Sequence, residues 1–152
     1  MSRLTATFEA ESERVHEDHQ NLLHDLGELD RALDRLVCHS EVYANLASVE
    51  AVRRYGERLI ERLPQHFARE EATVLATVSE VSPELAEFAR EMKREHEQLR
   101  ARLEAFCQAL EQLRAWEELD EAICNVKEHG KGLTRQLGRH IALEENELRG
   151  FL

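Results

Sequence analysis

Glycine, proline and aromatic residues are scarce in this chain of 152 residues. Six glycines and two prolines leave few places for tight turns, and aromatic residues make up only 5% of the chain. A β-sandwich or barrel needs frequent turns and strands rich in aromatic and β-branched residues. Leucine, alanine, glutamate and arginine are abundant instead, and all four favour helices. The composition therefore argues against an all-β architecture and predicts an all-α protein.

Basic charge is also in short supply. The chain has 20 lysines and arginines against 31 acidic residues, so its formal net charge is −11. An acidic surface does not suit the backbone of a nucleic acid or an anionic membrane, and we expect neither partner. No apolar run approaches the ~18 residues of a membrane span. The first thirteen residues lack the basic and apolar segments of a secretory signal, so we expect a cytoplasmic protein.

Cysteines are few, and their number is odd. Cys38, Cys107 and Cys124 match no zinc-binding spacing. We therefore expect three reduced, partly buried thiols with no part in a metal site.

Four segments repeat their apolar residues with the period of an α-helix. Ser82 and Pro83 have the residue types of an N-cap and a first helical position, which places the start of the third helix. Pro64 lies inside the second segment and predicts a kink or local irregularity there. Four long helices with short connections predict one antiparallel up-down four-helix bundle over residues 1–152. The predicted spans are roughly Thr5–Val37, Leu46–Thr77, Ser82–Leu110 and Leu119–Leu148.

Two polar motifs each occur twice, in the same order. The second segment contains HFAREE at 66–71, and the fourth contains HIALEE at 140–145. The first segment contains DHQNL at 18–22, and the third contains EHEQL at 95–99. From His19 to His66 is 47 positions, and from His96 to His140 is 44. The chain therefore reads as two helical hairpins that carry the same polar insertions.

The spacing within these motifs predicts that their polar side chains face the same part of the bundle core. Residues four apart lie on one face of a helix, so the histidine and the first glutamate of each six-residue motif share a face. That face coincides with the apolar stripe of its helix. Two buried carboxylates without partners would be very costly, whereas cations would neutralise them. Imidazole and carboxylate ligands suit iron, zinc or manganese. The candidate metal ligands are His19, His66, Glu70, His96, His140 and Glu144.

These residues resemble the hemerythrin-like, cation-binding His-His-Glu domain family over most of the chain, from about Val15 to Leu148. The resemblance implies a hemerythrin-like bundle with two non-haem iron ions, bridged by two carboxylates and by an oxo or hydroxo group. It also implies a small partner, namely oxygen, nitric oxide or peroxide, or a role in sensing iron or redox state. Zinc or manganese are alternative metals.

The chain departs from the oxygen-carrying branch of that family. That branch has a second histidine one turn before the histidine of the third helix, where this chain has Met92. It also has an aspartate five positions after the last histidine, where this chain has Glu144 at four and Glu145 at five. Fewer histidines imply more open coordination, which argues against reversible oxygen carriage.

Several residues near the motifs leave alternatives open. His16 lies one turn before His19 and is either a fifth imidazole or a polar neighbour; its counterpart is Lys93. Glu71 and Glu145 are either solvated acids or acceptors for a ligand imidazole. The Glu-x-x-His spacing of ferritin-like di-iron proteins occurs once, at Glu13. Three histidines without matched partners are expected to have no site role, namely His24, His39 and His129.

Three functional hypotheses follow. The first is a non-enzymatic di-iron protein that binds or senses a small ligand or reports redox state. The second is a di-iron enzyme that reduces peroxide or nitric oxide. The third is a metal-free bundle that acts as an interaction module.

Overall fold

Long helices make up most of the part of the chain that the structure, a computed structural model, describes. It describes residues 2–38, 42–113 and 119–149, with side chains for 7–38, 45–113 and 120–148. Four long helices and one short helix follow one another, and the predicted all-α four-helix bundle is confirmed. The helices are α1 (Ser2–Arg35), α2 (Val42–Ala72), α3 (Val74–Val78), α4 (Pro83–Gln112) and α5 (Leu119–Arg149).

The start of α4 is the one that its sequence predicts. Ser82 has an extended backbone, and its hydroxyl accepts a hydrogen bond from the Leu85 amide at 3.2 Å. Pro83 takes the first helical position, where a missing amide hydrogen has no consequence.

The helix predicted over residues 46–77 is interrupted near its end. α2 remains helical through Pro64, and the break comes at Thr73, whose φ and ψ are −117° and −86°. The Thr73 hydroxyl donates to the Arg69 carbonyl at 2.7 Å, one turn earlier. The break separates α2 from the short helix α3, whose Val74, Leu75 and Val78 are all fully buried.

Neighbouring long helices run antiparallel. Asp25 pairs with Arg62 and Asp18 with Arg69, so α1 and α2 run in opposite directions. Glu95 lies beside His140 and Gln98 beside Gln136, which gives the same relation for α4 and α5. The two hairpins join mainly through α1 and α5. None of the helices in the described part of the chain combines the length and apolarity needed to cross a membrane.

The core has two apolar clusters, one on each side of a polar layer. The larger cluster fills the bundle from Leu22 and Phe67 towards the α1–α2 connection, and it includes Leu33 and Phe106. The smaller cluster lies at the opposite end, where α3 packs against the long helices. Its buried members are Val15, Val74, Leu75, Val78, Leu85, Ala89, Met92 and Leu148. Each polar motif falls between residues of the two clusters, so the four long helices bring their polar side chains to one depth.

Candidate metal centre

The polar layer contains the six candidate ligands. α1 contributes His19 and α4 contributes His96, while α2 and α5 each contribute a histidine and the glutamate one helical turn later. Each of the six is at most 4% exposed to solvent. The structure therefore places all six side chains in the interior of the bundle.

The six side chains form two overlapping groups. His19 and His66 belong to one group, and His96 and His140 belong to the other. Both Glu70 and Glu144 belong to each group, and within each group the candidate ligand atoms lie within 4.8 Å of one another. The two groups are closely similar in geometry, since each pair of imidazoles has ring centroids 4.8 Å apart and planes inclined at 63°. The internal repeat of the sequence thus becomes an approximate two-fold arrangement in space.

Glu70 lies between the two groups. Its Oε2 is 3.1 Å from His66 Nε2 and 3.2 Å from His19 Nε2, on one side of the layer. Its Oε1 is 3.0 Å from His96 Nε2, on the other side. Because one carboxylate oxygen faces each group, Glu70 is placed to bridge two cations.

Glu144 is also shared between the groups. Its Oε1 is 2.8 Å from His140 Nε2 and 3.5 Å from His19 Nε2, while its Oε2 is 3.9 Å from His96 Nε2. Its oxygens therefore also face imidazoles of both groups.

Inward-facing polar atoms of this layer have no hydrogen-bond partner. They are Nε2 of His66, His96 and His140, Oε1 of Glu70 and both carboxylate oxygens of Glu144. Buried polar atoms without a partner are rare in proteins, because each one has lost its hydration without replacement. Cations at the centre of each group would give these atoms a partner. The donor set therefore fits metal ions.

Burial and the two buried carboxylates shift the pKa values of this layer. Burial lowers the pKa of His19, but the nearby carboxylates of Glu144 and Glu70 outweigh burial and raise that pKa from 6.5 to about 10. Burial and then the charge of Glu70 raise the pKa of Glu144. Burial acts in the same direction on Glu70, yet its close contacts with Glu144 and three imidazoles hold its pKa well below the ordinary value.

Each of the four imidazoles has a carboxylate beside its outer nitrogen. His19 Nδ1 lies 2.8 Å from Glu145, and His96 Nδ1 lies 3.4 Å from Glu71. Of the two alternatives for these glutamates, the structure favours the acceptor role for Glu145, whereas Glu71 lies beside His96 Nδ1 without a hydrogen bond to it. Two further acids were not assigned a role from the sequence: His66 Nδ1 lies 3.4 Å from Asp18, and His140 Nδ1 lies 3.3 Å from Glu95. An acceptor at Nδ1 keeps a proton there and leaves Nε2 free to face a cation.

The outer acids follow the same repeat as the candidate ligands. The acid before the histidine of α1 or α4 serves the imidazole of the next long helix. The second glutamate of α2, Glu71, lies beside the imidazole of α4. The second glutamate of α5, Glu145, lies beside the imidazole of α1. Arg69 and Arg100 hold two of these acids, at 2.6 Å from Asp18 and 2.7 Å from Glu71.

The remaining histidines lie outside the two groups. His16 has a side chain 43% exposed, and its Nδ1 lies 2.9 Å from Glu145, so it has a polar neighbour's position. His24 and His129 are exposed, whereas His39 lies outside the described residues. Glu13 is exposed as well, so the ferritin-like Glu-x-x-His pattern does not reach the layer.

Phe67 closes one side of the layer. Its ring is fully buried and stacks on the His96 imidazole, with centroids 4.1 Å apart and planes 17° apart. It contacts His140 edge-on at 6.1 Å. This apolar wall restricts water and limits the rotation of two imidazoles.

Comparison with known proteins leads to the same assignment. No curated protein and no solved structure matches the chain. One family model does match, over residues 11–152, and it describes the hemerythrin HHE cation binding domain. Both repeated motifs and every residue of the polar layer lie within that match. With its helical bundle and its paired groups able to hold metal, the chain belongs to the hemerythrin HHE cation-binding family.

Proposed function

We propose that this chain is a non-haem di-iron protein that binds or senses oxygen, nitric oxide or peroxide. The observation that carries this proposal is the pair of four-residue groups that share both carboxylates. One iron would take the imidazoles of His19 and His66, and the second those of His96 and His140. Glu70 and Glu144 would bridge the two ions, together with an oxo or hydroxo group. Zinc or manganese would accept the same ligands. The choice of iron therefore rests on family membership.

Open coordination supports a small exogenous ligand. Each iron would have two imidazoles and two shared carboxylates as protein ligands. These do not complete the coordination of iron, so positions would stay open, as they do in other non-haem iron sites. Met92, fully buried one turn before His96, supplies no third nitrogen to that side of the layer. The equivalent position on α1 is Val15, which is also buried. Binding or sensing is therefore favoured over reversible oxygen transport.

The protein itself would bind, orient and shield. When bound, iron supplies Lewis-acid and redox chemistry. Hydrogen bonds to outer carboxylates would hold the imidazoles of His19, His66 and His140 with Nε2 facing inward. Phe67 and the two apolar clusters would exclude bulk water. A reducing compartment such as the cytoplasm suits the three cysteines, which form no disulfide.

Metal content tests this assignment. Glu70→Ala and Glu144→Ala each remove an oxygen donor from both groups, so we expect each variant to purify with well under half of the wild-type iron. Glu147→Ala, on the exposed face of α5, is the matched control and should keep its iron. Wild-type iron content in both site variants would contradict the ligand assignment.

The same centre could instead turn over a substrate. The open positions that favour ligand binding would equally allow a di-iron enzyme to reduce peroxide or nitric oxide. Stopped-flow mixing of the reduced protein with oxygen, peroxide and nitric oxide separates the two cases. A stable adduct formed once per centre supports binding or sensing, whereas repeated consumption of the ligand supports an enzyme.

A further inference from the structure

A polar pocket opens between α1 and α2 and reaches His66, one of the six candidate ligands. Its volume is about 260 Å³, and Asn21 of α1 and Gln65 of α2 are among its lining residues. His66 also lines it. The same imidazole places Nε2 3.1 Å from Glu70, so one side chain borders both the pocket and the layer. At ~30 Å³ for each water molecule, the pocket has room for several waters or a small polar ligand.

Two ion pairs hold the rim of this pocket. Arg62 reaches across to Asp25 at 2.8 Å, and Asp25 is only 1% exposed. Arg69 reaches across to Asp18 at 2.6 Å, at the edge nearest His66. Each guanidinium is tied to an acid of α1, and Asp25 is also 3.5 Å from Arg58, so the rim is charged and polar.

The corresponding groove between α4 and α5 is built differently. With the histidines of the repeat aligned, Asn21 corresponds to Gln98 and Arg62 to Gln136. Gln136 donates a hydrogen bond to Gln98 at 3.2 Å, which joins the two helices across this groove. Leu143 takes the position of Arg69 and replaces its charge with an apolar side chain. The two halves match at the candidate ligands but differ in the residues that lie over them.

We propose that the α1–α2 pocket is the route by which small polar ligands reach the metal centre, on its His66 side. This inference rests on the proposed di-iron function and adds the side from which a ligand approaches the centre. The His19–His66 half would meet an incoming ligand first, while the Gln98–Gln136 hydrogen bond covers the other half. The four imidazoles are arranged nearly symmetrically, but the proposed centre would be open to ligands on the His66 side.

Azide binding to the iron-loaded protein tests the route, because the adduct has its own absorption band and needs no turnover. Asn21→Phe fills the pocket from α1, and Gln98→Phe makes the same change at the matched position of α4. We expect Asn21→Phe to slow azide association about tenfold or more, since a blocked approach acts on the association rate. Gln98→Phe should leave that rate unchanged. Iron content and circular dichroism of each variant report whether the centre and the fold are intact.

A second pair of variants fills the grooves from the other helix. Gln65→Phe blocks the pocket from α2, and Arg139→Phe is its matched control on α5. Slower azide binding in Gln65→Phe alone supports the route even if Asn21→Phe fails to fold. Wild-type rates in the iron-loaded pocket variants, or equal slowing in the controls, would overturn it while leaving the di-iron function in place. An iron-free wild-type protein would instead overturn the proposed function, and the route with it.

Discussion

At the scale of single residues, the outer carboxylates are arranged as regularly as the candidate ligands. Asp18 accepts from His66 and is itself held by Arg69, so a chain of three side chains runs from the surface to the centre. Glu95 accepts from His140 at 3.3 Å. A carboxylate at the outer nitrogen fixes the tautomer of an imidazole and raises its basicity as a ligand. These acids are therefore placed to orient the imidazoles without being candidate ligands themselves.

Removing one outer charge should weaken metal binding while leaving the layer in place. We expect Asp18→Asn and Glu95→Gln each to lower the affinity for iron about 10- to 100-fold, the range seen for such acceptors elsewhere. Competition with a chelator of known affinity measures the change. Glu17→Gln, on the exposed side of α1 next to Asp18, is the matched control and should bind as tightly as wild type. Unchanged affinity in Asp18→Asn and Glu95→Gln would show that these acids have no positioning role.

The sequence predicted the six candidate ligands but not the roles of Asp18 and Glu95. Candidate ligands are visible because a histidine and a glutamate four positions apart share a helix face, which is a local property of one helix. The contact between Asp18 and His66 joins two helices and depends on how they pack side by side. The acid-histidine pair in both halves was a usable signal, since a repeated acid next to a candidate ligand suggests a repeated role.

At the scale of helices, the glycines of α5 have different functions. The helix is continuous through Gly130, Gly132 and Gly138. A Cβ at Gly130 would lie 2.7 Å from Leu33 Cδ1, and Leu33 is fully buried in the larger cluster. A Cβ at Gly138 would lie 3.7 Å from Leu26, which is an ordinary contact. Gly130 therefore allows α5 to approach α1 closely, whereas Gly138 does not have this role.

Two alanine substitutions in α5 should accordingly change the free energy of unfolding in opposite directions. We expect Gly130→Ala to lower the free energy of unfolding by about 1–3 kcal/mol, because Leu33 must move within a packed core. Gly138→Ala should raise it by about 0.5–1 kcal/mol, since alanine has the higher helix propensity. Urea unfolding of both variants at equal metal loading measures the two changes. Stabilisation by Gly130→Ala would mean that the contact between α1 and α5 has room to spare.

The helix boundaries illustrate what local sequence can and cannot determine. The start of α4 was predicted because a serine cap and a following proline act within one turn. The break at Thr73 was missed, since nothing in the local pattern disfavours helix there more than at Pro64. The break places Val74, Leu75 and Val78 of α3 in the smaller cluster. That outcome depends on the other helices that form the cluster, so it becomes apparent only in the folded chain.

At the scale of the whole molecule, the polar layer couples stability to both pH and metal. In the metal-free protein His19 has a pKa of about 10, against 6.5 for an ordinary histidine. The pKa of His140 is also raised, because the nearby carboxylate of Glu144 outweighs the opposite effect of burial. The folded chain thus holds protons that the unfolded chain releases above pH 6.5, so raising the pH favours unfolding.

We therefore expect the Tm of the metal-free protein to fall by about 5 °C or more between about pH 7 and about pH 9. Iron should act in the opposite direction, because it replaces these protons and binds more tightly as they become easier to remove. The difference in Tm between iron-loaded and metal-free protein should consequently widen as the pH rises. Thermal unfolding followed by circular dichroism, with and without prior chelation, measures both trends.

Glu144→Gln isolates the part of this pH dependence that comes from the layer. Glu144 provides the strongest interaction that raises the pKa of His19, so removing its charge should bring that pKa down. The Tm of the metal-free variant should then vary less over the same pH range. If the metal-free wild type keeps a constant Tm, or if Glu144→Gln has the same pH dependence, protons do not balance the buried carboxylates.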